Sequence, residues 1–186
     1  GGFITSLYVI VVPFAAWFFF RRRPMFLVWP ACIIAVFGMW LLNNATLSFG
    51  AGDGLLLGGA VLFGMQVALI GYVLHSANYP LTLSVLQYGA CALFGLFGAF
   101  IFEDITWSAV MNNLPEILYA GLAAGALAYT LQAIAQQYTP PSDAAIIMAA
   151  EAPVAAFSGY LILGETLNLI ELTGCFLILA AIILVE

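Results

Sequence analysis

The chain has 186 residues, of which 65% are hydrophobic and 6% charged, with a formal net charge of −6. A soluble domain carries about a quarter charged residues, so this composition excludes a water-soluble globule and indicates an integral membrane protein. The positive charge is all in Arg21, Arg22 and Arg23, with no lysine, which excludes a basic surface for nucleic acid and any lysine Schiff base or nucleophile.

A bilayer crossing needs about 20 mostly apolar residues in a helix. In chain order the first run, 3–20, ends at the three arginines and Pro24, and the second, 25–43, ends at Asn43-Asn44. The third, 54–75, follows Asp53 and ends at His75, and the fourth, 81–102, starts after Pro80 and ends at Glu103-Asp104. The fifth, 114–138, runs to Thr139-Pro140-Pro141, the sixth is 142–163, and the seventh, 167–185, follows Gly164-Glu165-Thr166. Apolar residues run continuously, without the alternation of a membrane β-barrel. The fold class is therefore an all-α polytopic membrane protein with seven transmembrane helices. Asp53 is expected to cap the third helix. His75 and the scattered Cys32, Cys91 and Cys175 lack metal-ligand spacing, so no metal or cofactor is expected.

Basic residues collect in cytoplasmic loops, which places the arginine turn inside. Seven crossings then put Glu186 in the cytoplasm, and Gly1 and the acidic 103–116 loop outside. An outer N-terminus without an initiating Met or a signal-peptide n-region points to a segment upstream. An internal repeat estimates its size. Shifted by 143, residues 10–42 fall on 153–185 without gaps, turn on turn, with Cys32 on Cys175. The repeat makes residues 1–45 the last two helices of one unit and 52–186 a complete five-helix second unit. The first unit would then begin about 90 residues before Gly1. The two units would lie in opposite orientations, a transporter pattern.

The stretch Ala126-Leu127-Ala128-Tyr129-Thr130-Leu131-Gln132, then Gln136-Gln137-Tyr138-Thr139-Pro140 and Ala144-Ala145-Ile146-Ile147, resembles the EamA family of the drug/metabolite transporter superfamily. So do Glu151-Ala152-Pro153-Val154-Ala155-Ala156 and Tyr160-Leu161-Ile162-Leu163-Gly164-Glu165. Phe3-Ile4-Thr5-Ser6-Leu7-Tyr8-Val9 through Pro13 is similar to the matching helix of that family's first repeat. Gly52-Asp53 with Gln66 is similar to the start of its second repeat, and Leu86-Gln87 to the next helix. The resemblance implies ten helices in two inverted five-helix repeats, of which this chain carries the last seven, with both ends of the full protein cytoplasmic. It departs at the Arg-Arg-Arg-Pro turn, where many relatives are acidic, and at Asp143 and His75-Ser76-Ala77-Asn78, where relatives are often basic.

Glu151 is the one ionisable residue near the middle of a span, where a lone charge costs ~2.5–3.5 kcal/mol. Two residues on, Pro153 is expected to break the helix and free the carbonyl of Ala149. Together they make a polar site lining a cavity, or else a carboxyl that fixes packing against a neighbouring helix. Tyr129, Gln132 and Gln136 share one helical face, and Gln66, Gln87, Tyr88 and Tyr8 add neutral polar groups. Each reads either as solute path or as interhelical hydrogen bonding. Pro13 marks a second break. Gly54 with Gly58, and Gly121 with Gly125, are GxxxG spacings that predict close helix packing, within the chain or between copies. Trp17, Trp29 and Tyr138 fit interface positions.

Two enzyme motifs fail. Gly50-Ala51-Gly52-Asp53 lacks the second intramembrane aspartate that aspartyl chemistry needs, and Ser158-Gly159 lacks a base. The expectation is a non-enzymatic secondary transporter in a bacterial-type inner membrane, exporting small organic metabolites such as amino acids by alternating access. Its partners would be the solute and the lipid bilayer, with protons as a coupling ion and the oligomeric state left open. The first, third, fourth, fifth and sixth spans would line the path, while the second and seventh brace the repeats. The competing reading is a structural membrane component whose polar residues only pack helices.

Overall fold

The computed structural model describes residues 2–21, 23–44, 52–76, 78–104 and 106–186. Helices, in chain order, are α1 (Gly2–Thr5), α2 (Tyr8–Phe18), α3 (Val28–Leu42), α4 (Asp53–Ser76), α5 (Pro80–Phe102), α6 (Trp107–Asn112) and α7 (Leu114–Leu118). A π-helical segment, Tyr119–Leu127, leads into α8 (Ala128–Ala135), followed by α9 (Pro141–Met148), α10 (Glu151–Leu163) and α11 (Leu169–Val185). No strand occurs among the described residues. Among the described residues, four apolar spans are long enough to cross a membrane: Asp53–Ser76, Pro80–Phe102, Leu114–Ala135 and Pro141–Leu163. Phe3–Phe18, Val28–Leu42 and Leu169–Val185 are shorter apolar helices. The chain is an all-α polytopic membrane protein.

Local chemistry sets the ends. Pro80 and Pro141 open α5 and α9, where a missing N–H costs nothing. Asn168 caps α11 through a reciprocal capping box with Glu171. Gly164, at φ 69°, closes α10, a left-handed conformation that glycine adopts without a Cβ penalty. Asn44 takes the same conformation after α3, at φ 55°. Asp53 is the first residue of α4 rather than its cap, because the Gly52 carbonyl accepts the N–H groups of Leu55 and Leu56. Its carboxylate still meets the positive end of the helix dipole. The segment expected to be a plain acidic loop holds α6, capped by Thr106. Gly50, Ala51, Arg22 and Ala77 lie outside the described residues.

The described chain forms two compact units, residues up to Tyr72 with Thr139–Glu186, and Val73–Tyr138. In the first, Val9, Val12, Ala31, Ala35, Met39, Val67, Ile146 and Ile178 make a close-packed core. Its closest seam joins α3 and α11, which run antiparallel: the side chains of Asn44 and Asn168 meet where one helix ends and the other begins, at 2.6 Å. A Cβ placed on Gly174 would stand 2.5 Å from the Gly38 carbonyl, and one on Gly38 would stand 2.8 Å from the Gly174 carbonyl. The two backbones touch there. Asn44 also donates to Glu171 Oε1 at 2.7 Å, so the left-handed residue ending α3 clasps the cap of α11.

Within the described residues the GxxxG glycines pack closely against no neighbouring helix, so of the two expectations for them only packing between copies remains. Cβ atoms on Gly54, Gly58 and Gly121 would meet nothing within 4 Å, and one on Gly125 only the Ala120 carbonyl. Close approach falls instead on Gly38 with Gly174, on Gly64 against Val11, and on Gly71 against Pro141. Sequence spacing places small residues on a common face, but the neighbour that a face meets is a tertiary matter.

Replacing Gly174 by Val is expected to destabilise the protein by about 1–3 kcal/mol through overpacking, seen as a lower midpoint of thermal unfolding in detergent. Gly58→Val should leave that midpoint unchanged.

Candidate functional site

In the first unit the site grows from one interrupted helix and the helix α2 packed against it. The sixth span is split: Ala149 and Ala150 donate to the carbonyls of Ile146 and Ile147, three residues back, at 3.1 and 3.0 Å. That tight turn ends α9 and begins α10 at Glu151. Pro153 contributes by lacking an N–H for Ala149, yet the Ala149 carbonyl is not left free as expected. The Ala152 N–H donates to it at 3.2 Å. α9 is packed against α2, α3 and α11, whereas α10 carries no buried residue. Glu151 thus stands where the chain leaves the core, and it is exposed.

Facing it is Tyr8, 3% exposed, whose phenol interacts with the Glu151 side chain. Its ring stands edge-on to Phe63 at 4.9 Å, so aromatic packing fixes the direction of the phenol. Gly64, pressed against Val11, brings α4 close enough for that contact. The pair combines an ionisable carboxyl with a fixed hydroxyl beside a broken helix, a set that can bind a polar group or carry a proton.

Pro13 does not break α2, which continues through it. It removes the donor for the Val9 carbonyl, four residues back, and the Cys32 thiol on α3 donates to that carbonyl at 3.4 Å. This bond was missed in the sequence, although applying to Pro13 the argument made for Pro153 would have flagged the Val9 carbonyl. Gln66 is half-buried and lies apart from this bond, on the wall of an open-sided cavity beside Ala15 and Phe20.

The second unit holds the remaining candidates. Tyr88 donates to the carbonyls of Gly125 and Ala126 at 2.9 and 3.2 Å. These lie where the wide π turn passes into α8, and the Ala128 N–H is already divided between Ala123 and Gly125. Such a junction has more carbonyls than N–H groups to serve them, and the hydroxyl supplies a donor. Gln132 Nε2 donates to Gln136 Oε1 at 3.4 Å, so these two share a face as expected. Gln136, 2% exposed, follows the last residue of α8 and does not sit within it. Tyr129 and Gln87 are half-buried. Ser84, passed over in the sequence, is buried and aligned with Gln87 and Tyr88 at i+3 and i+4. Ser158, back in the first unit, spends its hydroxyl on the Val154 carbonyl at 2.8 Å. Trp17 and Trp29 stack edge-on at 6.1 Å, and Tyr138 is exposed. No group of three or more metal-ligating side chains occurs among the described residues.

Cys32→Ala should lower stability by about 1 kcal/mol or more, by stranding the buried Val9 carbonyl. In a Pro13→Ala background, where a backbone N–H returns, the same change should cost markedly less. Thermal unfolding of the four members of this double-mutant cycle checks the coupling.

Comparison with known proteins follows the same lines. Residues 50–186 match the EamA-like transporter family. An uncharacterized transporter of Archaeoglobus fulgidus is 31% identical over 191 residues, covering 100% of this chain and 59% of its own length. The threonine/homoserine exporter RhtA of Salmonella typhimurium is 30% identical over 174 residues, covering 91% of this chain and 57% of its own. The uncharacterized transporter YwfM of Bacillus subtilis is 27% identical, over 91% of this chain and 58% of its own. The chain therefore spans a little under three-fifths of the length of these curated relatives. No solved structure matches it. The chain belongs to the EamA-like transporter family of the drug/metabolite transporters.

Proposed function

We propose that this chain is part of a secondary exporter of small, polar, amino-acid-like metabolites, working by alternating access, with Glu151 and Tyr8 at its solute or proton site. The Tyr8–Glu151 pair carries the reading: an exposed carboxyl beside a nearly buried phenol that interacts with it, at a break in a membrane-spanning helix. A broken helix around polar groups at mid-membrane is the common architecture of transporter sites. The relative named a threonine/homoserine exporter supports an amino-acid-like solute. The spans contain no Lys or Arg, which suits a zwitterion better than a multiply charged anion. Gln66 in the first unit, and Gln87, Tyr129, Gln132 and Gln136 in the second, are further candidates for polar contact with a solute, each within its own unit. Tyr88 is better read as structural, since its hydroxyl serves the π-to-α junction.

Residues 1–45 are the last two helices of a first repeat and 52–186 a second five-helix repeat of a ten-helix fold, in an inner membrane with the C-terminus cytoplasmic. The α3–α11 seam supports this. The shift of 143 that superposes the two halves carries Ala31 onto Gly174 and Gly38 onto Ala181. All four are buried small residues on one antiparallel seam, as self-complementary halves about a pseudo-two-fold axis require.

Proteoliposomes containing the protein, loaded with threonine, homoserine and related amino acids, test the reading. Saturable flux is expected, falling at least tenfold in Glu151→Gln with unfolding behaviour preserved, and less steeply in Tyr8→Phe. Flux that is indifferent to Glu151→Gln would remove the carboxyl from the site. Absence of flux for every amino acid would remove the solute class.

A further inference from the structure

Outside the Tyr8–Glu151 site, α2 and α4 frame a second feature. The two helices run in the same direction, since Tyr8 at the start of α2 meets Phe63 in the middle of α4, and Phe20, just past the end of α2, stacks on Tyr72 near the end of α4 at 4.6 Å. Between them lies an open-sided cavity of about 450 Å³, walled by Ala15, Phe19, Phe20, Leu62, Met65 and Leu69, with Gln66 as its one polar side chain. Its lower end reaches Phe20, and Arg21 follows at once. Arg21 and Arg23 are exposed and form no ion pair among the described residues. The three basic residues of the chain are consecutive in sequence, directly after Phe20, against a net charge of −6.

An apolar groove whose last lining residue on the α2 side, Phe20, is followed at once by exposed arginines suits a molecule with an apolar chain and an anionic head. We infer that it binds an anionic diacyl phospholipid, with one acyl chain lying along Phe19, Leu62 and Leu69 and the phosphate held by Arg21 and Arg23. Arginine presents several N–H donors to phosphate oxygens, and basic clusters beside membrane helices attract anionic headgroups. Everywhere else the excess of acidic groups disfavours such a headgroup. The seated chain would also cover the membrane side of Gln66. The inference needs the protein to lie in a bilayer with this groove open to lipid, and stands apart from the identity of the solute.

The test is native mass spectrometry of the detergent-purified protein titrated with phosphatidylglycerol and phosphatidylethanolamine of identical acyl chains. Wild type should retain phosphatidylglycerol in preference, by up to about 30-fold if each of two cations contributes ~1 kcal/mol. R21Q/R23Q should abolish the preference and leave weak, equal binding of both lipids. Leu69→Trp, and independently Ala15→Leu from the opposite wall, should weaken both lipids several-fold while keeping the preference. Equal retention by wild type, a preference that survives R21Q/R23Q, or indifference to both groove-filling variants would overturn the inference. So would a second copy of the chain that excludes lipid from the groove.

Discussion

Lipid chains are as apolar as leucine, so helices within a bilayer gain little by turning apolar surface toward one another. They hold together through close contact and hydrogen bonds, and here the contact on which the first unit rests is the antiparallel seam of α3 and α11. Gly38 and Gly174 let the two backbones touch. Ala35 and Ile178, both fully buried, continue the seam. The polar clasp of Asn44, Asn168 and Glu171 fixes its register at one end. α9 packs against this pair, and α10 departs from α9 at Glu151, so the seam determines where the carboxyl can stand.

A second theme is the handling of backbone groups that the helices cannot satisfy themselves. Among the described residues, three such carbonyl sites are each answered differently. At Pro13 the stranded Val9 carbonyl takes the Cys32 thiol from a neighbouring helix. Near Pro153 the Ala149 carbonyl takes the N–H of Ala152 within the same chain segment. At the end of the π-helical segment the carbonyls of Gly125 and Ala126 take the Tyr88 hydroxyl. In hydrocarbon no water is present to serve such groups, so intramembrane polar side chains have a structural task as well as a chemical one. Tyr88 belongs to the first kind, and Glu151 is proposed for the second.

Much of the architecture was legible because hydrophobic runs of membrane length are explicit in a sequence with so few charges. The seven apolar segments, the turns at Pro80, Pro141 and Gly164, and the helical class follow from composition and punctuation. The glycines were harder. Gly54, Gly58 and Gly121 have the spacing of a packing motif and face open space, while Gly38 and Gly174 have no such spacing and make the contact. In the site, Glu151 and Pro153 were visible as a carboxyl beside a helix breaker. The partnership of Glu151 with Tyr8, 143 positions earlier, left no mark in local pattern.

The sequence by itself determined that the chain enters a membrane, which segments are helical, and which side chains put polarity at depth, because these depend on the transfer of each segment from water to hydrocarbon. Only the tertiary structure decided which of those polar groups face one another, which carbonyls are already taken, and which glycines bear a backbone contact. These depend on the rotation and register of one helix against another. Small residues and hydrogen bonds fix both, and neither is encoded in the hydropathy of either helix alone.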